Sequence, residues 1–352
     1  MRAGEKGRGR RHAGGGAGGR RSGSGRGGRV GVVLGAVVIA LVLVTLCLGA
    51  FSLSVPEVFG ALTGHGSRSA NFVVGEVRLP RASVGLLVGV CLGLSGALFQ
   101  AIVRNPLASP DIIGITSSAS ATGISAILLL GLSGFALSGI VLAGALAAAA
   151  VIYLLAWRNG ITGYRLVLVG IGVAAVSTSI TSYQLTRGKI TDVQQALVWL
   201  TGSLNNSTWS EVLVLAVAVV VLVPLTLALS PTLDALRLGD DSALALGVRV
   251  ERSRLVLIVV AVALAAVAVS IVGPIGFVAL VASPIARRLV GGGRLALVPA
   301  ALLGGVIVLA SDLVAQFALP GTSLPVGVVT GIVGAPYLLW LLTRTNRSGQ
   351  GG

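Results

Sequence analysis

The chain has 352 residues, 55% of them hydrophobic and only 11% charged, with a mean hydropathy of +0.97. A soluble domain carries about 25% charged residues, so this composition excludes a soluble globular protein. The formal net charge of +15 does not imply a nucleic-acid ligand, because nine of the 26 basic residues fall in the first 29 positions, among Gly and Ser and opposed only by Glu5.

Residues 1–29 are predicted to be a disordered, basic, Gly/Arg-rich cytoplasmic tail, since they carry too little apolar surface to bury a core. Ten apolar segments follow, over 30–51, 82–103, 112–131, 135–157, 166–185, 212–229, 255–273, 274–290, 295–319 and 326–342. A helix needs about 20 predominantly apolar residues to cross a bilayer, so these predict an all-α polytopic membrane protein with about ten transmembrane helices. The permease domain spans 30–344, and residues 345–352 are a short disordered tail. The first segment exceeds the apolar core of a signal peptide and lacks a small-residue cleavage site, so it reads as a retained span. The eighth is the weakest, with Pro284 set to kink it. The ninth carries Asp312, the one acid well inside a span. With the N-terminus inside, cytoplasmic segments hold 21 of the Lys and Arg residues and outer segments hold five. This is the asymmetry that sets orientation, and it places both termini in the cytoplasm.

The connections carry the polar chemistry. On the outer side, Arg78-Leu79-Pro80-Arg81 precedes the second span, and two cations spaced by three offer donors to partner carboxylates. Further along, VQQALVWLTGSL predicts a short helix at the membrane interface, anchored by Trp199 and Trp209. On the inner side, Arg104-Asn105-Pro106 opens a loop that two prolines keep from being helical. Asp111 is placed at the start of the next helix, where its charge suits the dipole.

The longest inner loop, 231–254, contains eight charged residues. Asp240, Asp241 and Ser242 supply N-cap oxygens, Ala245 and Leu246 fall in the following turn, and Gly247 can take the left-handed stop. A helix this short is marginal in water. It needs a neighbour, and the reading is a partner protein pressing from the cytoplasm.

No GxxxxGK[ST] phosphate loop occurs, so ATP hydrolysis is not expected of this chain. Cys47 and Cys91 lie inside apolar runs without metal spacing, and His12 and His65 do not cluster with other ligand types; no metal or cofactor is expected on this chain. Gly89-x-x-x-Gly93 and Gly327-x-x-x-Gly331 permit close helix packing. An ion-coupled secondary transporter would line its path with acids, and only Asp312 qualifies. A membrane scaffold would not need polar contact segments on both faces.

Several ordered motifs carry a resemblance: RLPR at 78–81, SGALFQAIVRNPLASPD at 95–111, LGDDSALALGVRVERSR at 238–254, GPIGFVALVASPIARRLVG at 273–291 and LPVGVVTGIVGAPYLLWLL at 324–342. Together they resemble the permease family of iron–siderophore and vitamin B12 ABC importers (the FecCD/BtuC type). LLAWRNGI at 154–161 and ASDLVAQ at 310–316 look most like the catecholate, enterobactin-type ferric siderophore permeases. The resemblance implies the type II ABC importer permease fold and a second permease subunit, a copy or a paralogue. It also implies two ATPase subunits, which would use ATP and Mg, and an extracytoplasmic siderophore-binding protein. It assigns Arg78 and Arg81 to docking of the binding protein. Asp240 to Gly247, with Arg104, Asn105 and Pro106, are assigned to coupling with the ATPase. Gly327 and Gly331 lie on the last helix, which with the fifth span lines the pathway. Cobalamin and haem stay open as cargo. The sequence departs from the family where Ser283-Pro284 replaces a Pro-His pair and where Gln316 replaces a third docking arginine.

Overall fold

The computed structural model describes residues 22–49, 51–158, 162–291, 295–319 and 323–349. Helices account for the regular structure. α1 (Ser22–Cys47) leads to the short α2 (Val55–Leu62) and α3 (Arg68–Phe72). A π-helical turn, Val73–Arg78, joins α3 to α4 (Leu79–Val103) without a break. There follow α5 (Ile115–Leu130), α6 (Gly134–Ala156), α7 (Gly163–Arg187), α8 (Ile190–Leu200), α9 (Trp209–Ala228), α10 (Ser230–Arg237), α11 (Asp240–Ala245), α12 (Val250–Val272), α13 (Val278–Val290), α14 (Leu297–Phe317) and α15 (Val326–Gly349).

Seven of these are long and apolar enough to cross a membrane: α1 from Arg26, the continuous helix Arg68–Val103, α6, α7, α9, α12 and α14. α5 and the Val326–Trp340 part of α15 are shorter apolar helices. The chain is therefore a multi-pass membrane protein. Each predicted segment overlies one helix, and the weakest, α13, has 13 residues with Pro284 inside it.

α4 is the central post. It packs most extensively on α14, then on α12 and α13. The reason is legible in its glycines. A Cβ at Gly89, Gly93 or Gly96 would meet the backbone carbonyl of Gly304, Ala300 or Ala279 respectively. Small residues on one stripe let backbones touch, and in lipid this dispersion contact replaces the hydrophobic effect as the driving force. α12 and α14 are likewise buried, whereas α1, α6, α7 and α9 present most of their surface outward.

Two boundaries and one side-chain orientation differ from the sequence reading. α1 begins at Ser22, inside the segment expected to be disordered to residue 29. Its first turns have something to rest on: Arg26 Nε donates to the carbonyl of Leu289 at 3.2 Å, and Gly27 lies against Val290. Residues 1–21 lie outside the described residues. At the other terminus, α15 runs to Gly349, because no Gly or Pro interrupts the chain between Pro336 and that point; residues 350–352 lie outside the described residues. The predicted interface helix is α8, but Trp199 is turned inward, its ring lying where a side chain on Gly123 would go. Trp209 is 44% exposed and donates its Nε1 hydrogen to the carbonyl of Gly75 at 2.9 Å.

Candidate functional site

Polar residues gather at the two ends of α4. At its C-terminal end, Arg104 adopts the left-handed conformation (φ 56°). A non-glycine residue pays for that geometry, and the compensation is visible. Arg104 Nη2 donates to the carbonyl of Leu236 at 2.6 Å and to Asp240 Oδ1 at 2.7 Å. From the second turn of α12, Arg254 donates to both Asp240 oxygens at 3.0 Å. One carboxylate thus ties together the ends of α4, α11 and α12, while Arg104 also holds the end of α10.

The N-cap role predicted for Asp240, Asp241 and Ser242 is not what the structure shows. Gly239 is the cap residue, with no side-chain bond to the helix, and both aspartates sit in the first turn. Asp240 is drawn away because two charge-assisted bonds to arginine outweigh one to a backbone N–H. Burial by itself would raise its pKa, but the hydrogen bonds and charges of Arg254 and Arg104 win and hold the carboxyl below the ordinary range. Gly247 closes the turn at φ 78°, the left-handed stop predicted for it. Only Ala243 of α11 is buried; Asp241, Ser242, Leu244, Ala245 and Leu246 are exposed. Asn105 and Pro106 are exposed on the loop that Arg104 ties to α11. A cavity of about 640 Å³, lined by Asp240, Leu244, Arg249, Val250, Glu251 and Arg252, opens beside them. The two inner segments that sequence reading nominated separately are therefore one patch.

At the other end of α4 the two arginines of RLPR part company. Arg78 is 8% exposed. Its Nη1 donates to the carbonyls of Leu46 (2.7 Å) and Cys47 (3.2 Å), and its Nη2 to that of Phe51. It staples the end of α1 to the start of α4 and does not extend as a free donor, which corrects the expectation of two equivalent outward cations. Arg81 pairs with Asp312 on α14: Nη2 to Oδ1 at 2.8 Å, Nε to Oδ2 at 3.0 Å. Gln316, one turn along, donates to Asp312 Oδ2 at 2.8 Å. Asp312 is thus partnered across 231 positions of sequence, not by Ser311 or local backbone.

The sequence pattern of the FecCD transport family matches residues 37–344. The chain belongs to the FecCD transport family. It is 42% identical over 301 residues to the ferric enterobactin transport system permease protein of Escherichia coli (strain K12), covering 85% of this chain and 91% of that one. An Fe(3+)-citrate import system permease protein of Bacillus subtilis (strain 168) is 38% identical, over 88% of this chain and 93% of the relative. Among solved structures, an inward-facing metal-chelate type ABC transporter superposes with a TM-score of 0.81 at 29% identity, covering 90% of this chain and 99% of that one.

In this FecCD permease the remaining nominated residues divide. A Cβ on Gly327 would meet the carbonyl of Thr201, so that glycine is required for contact, whereas Gly331 has nothing within 4 Å. Asp111 does not start a helix. α5 begins at Ile115, and the Asp111 carboxylate instead accepts the Thr116 hydroxyl at 2.6 Å. It ties the loop after α4 to the first turn of α5. Sequence reading missed the role of Arg254, whose bond to Asp240 has no local trace. Leu244 in α11 and Leu246 at its C-cap are 60% and 64% exposed; two residues apart on a helical turn, they do not share a face with the buried Ala243.

Proposed function

We propose that this FecCD permease is the membrane subunit of an ATP-driven importer of ferric siderophores. α5, α13 and α15 would complete ten transmembrane helices with the seven long ones, both termini being cytoplasmic. The Arg104 end of α4 is then the cytoplasmic end and the Arg81 end the outer one. Two ATPase subunits, binding ATP and Mg, press on the cytoplasmic patch. A second permease subunit shares the pathway, and an extracytoplasmic binding protein delivers cargo.

The observation that carries this reading is the patch around Asp240. A short helix with exposed leucines is held by salt bridges to the ends of α4 and α12, the two most buried helices. A push on α11 therefore reaches the core of the bundle. Cargo class rests on the relatives that carry ferric enterobactin and Fe(3+)-citrate in their names.

The test is reconstitution with the ATPase, second permease and binding protein, following iron-55 uptake from ferric enterobactin, ferric citrate and ferric hydroxamates, with cobalamin and haem as competitors. ATP-dependent uptake of an iron chelate is expected. Uptake driven by an ion gradient without ATP would overturn the reading, and saturable uptake of cobalamin alone would overturn the cargo.

A further inference from the structure

Arg81 and Asp312 meet at the outer end of the glycine seam between α4 and α14. The Asp312 side chain is 2% exposed and that of Arg81 17%. A guanidinium has five N–H donors in a planar fork. Asp312 takes the edge formed by Nε and Nη2. Among the described residues Nη1 donates to nothing, so the second edge, Nη1 with the other Nη2 hydrogen, remains for another carboxylate. Gln316 occupies a lone pair of Asp312 Oδ2 and keeps that carboxylate turned toward Arg81. Arg78 has no such spare edge facing out, being buried against three carbonyls.

We propose that Asp312 is the internal counter-ion of Arg81, a positioning residue that aims the second edge of the guanidinium outward and limits how tightly it holds an external carboxylate. This rests on the reading that a binding protein docks at this end. The sign follows from charge. A docked carboxylate would lie within a few ångströms of Asp312, and like charges at that separation repel appreciably near a protein surface. Asp312 therefore weakens docking while keeping it oriented, and a delivered binding protein can leave. Of the two arginines in the motif, Arg81 is the one that keeps a donor edge clear of backbone carbonyls.

The probe is the cognate binding protein loaded with ferric enterobactin, titrated onto the reconstituted importer. Asp312→Asn keeps the shape and a hydrogen-bond acceptor but removes the charge. Its expected effect is about tenfold tighter binding, with a lower maximal uptake rate because release slows. Arg81→Ala should weaken binding about tenfold or more, the scale of one charge-assisted hydrogen bond. Gln316→Glu replaces the donor to Asp312 Oδ2 with a second carboxylate; it competes with Asp312 for Arg81, adds negative charge beside the docked carboxylate and should weaken binding, and it serves if Asp312→Asn does not accumulate. Arg81→Ala weakening binding while Asp312→Asn leaves it unchanged or weaker would overturn the counter-ion role. Gln316→Glu leaving binding unchanged would count against it equally. If neither Arg81→Ala nor Arg81→Glu alters binding, it is the docking reading itself that fails.

Discussion

Arg78 and Arg81 show how far a motif can be read. Their spacing and charge were plain in the sequence, and both were assigned the same task. What separates them is the π-helical turn ending at Arg78 and the position of a carboxylate 231 residues away, and neither leaves a local trace. The structural role of Arg78 predicts that Arg78→Ala lowers thermal stability in detergent by about 2–4 kcal/mol, since three carbonyls lose a charged donor at once. Its effect on affinity for the binding protein should be small beside that of Arg81→Ala. A variant melting like the wild type would refute the staple. Asp240 makes a second case, and exposure decides which of its bonds matters. The pair with Arg104 exposes 43% and 47% of its two side chains, so it contributes about 0–1 kcal/mol. Arg254 is only 8% exposed, and losing the Asp240 carboxylate removes its shorter ion pair, leaving Glu251 at 3.5 Å, which costs more than the loss of a surface pair. Asp240→Asn should therefore disturb the start of α12 and uncouple ATP hydrolysis from uptake, measured as ATPase activity no longer stimulated by the loaded binding protein. The pH dependence has a definite sign. A carboxyl whose folded pKa is depressed gives stability that is present above the ordinary carboxylate range and lost as pH falls through the lowered value. Wild-type coupling should persist through mild acid, and Asp240→Asn should reproduce the low-pH state at neutral pH.

Among the elements, what periodicity and length reveal was legible. Ten apolar segments overlie ten helices, and Gly247 ends α11 at a left-handed φ as its type predicted. What was not legible was which small-residue pattern makes a contact, because spacing is the same whether or not a neighbour exists. Gly89-x-x-x-Gly93 lies against the backbone of Gly304 and Ala300; Gly327-x-x-x-Gly331 has a neighbour only at Gly327. These glycines predict opposite outcomes for similar changes. Gly89→Leu would force α4 off α14 and cost about 1–3 kcal/mol or more, seen as lost expression or a lower melting temperature. Gly331→Ala should be within about 0.5 kcal/mol of wild type. Equal melting of the two variants would mean that α4 and α14 are not in backbone contact.

For the molecule as a whole, the outward faces of the peripheral helices differ in kind. α9 exposes Leu213, Val217, Val220 and Val221, a surface suited to acyl chains. The second half of α7 exposes Thr178, Ser179, Ser182, Tyr183 and Thr186. Two of these hydroxyls return bonds to their own helix, Ser179 to the carbonyl of Ala175 at 2.9 Å and Thr186 to that of Tyr183 at 2.7 Å. Such back-bonding lowers the cost of a single hydroxyl in lipid. It does not explain five hydroxyl-bearing residues on one outward stretch of α7, when α9 exposes none beyond Ser210 in its first turn. On the proposed reading, a water-filled passage shared with a second permease subunit would explain it, and the second half of α7 would then lie along the route of the iron chelate. Cysteines introduced at Ser179 and Ser182, in a background lacking Cys47 and Cys91, should react with a charged, membrane-impermeant maleimide in the assembled importer, and loaded binding protein should slow that reaction. Cysteines at Val217 and Val220 should stay unreactive, because the thiolate that attacks is suppressed in hydrocarbon. Reaction on α9 with silence on α7 would put the passage on the wrong helix and exchange the roles of the two faces.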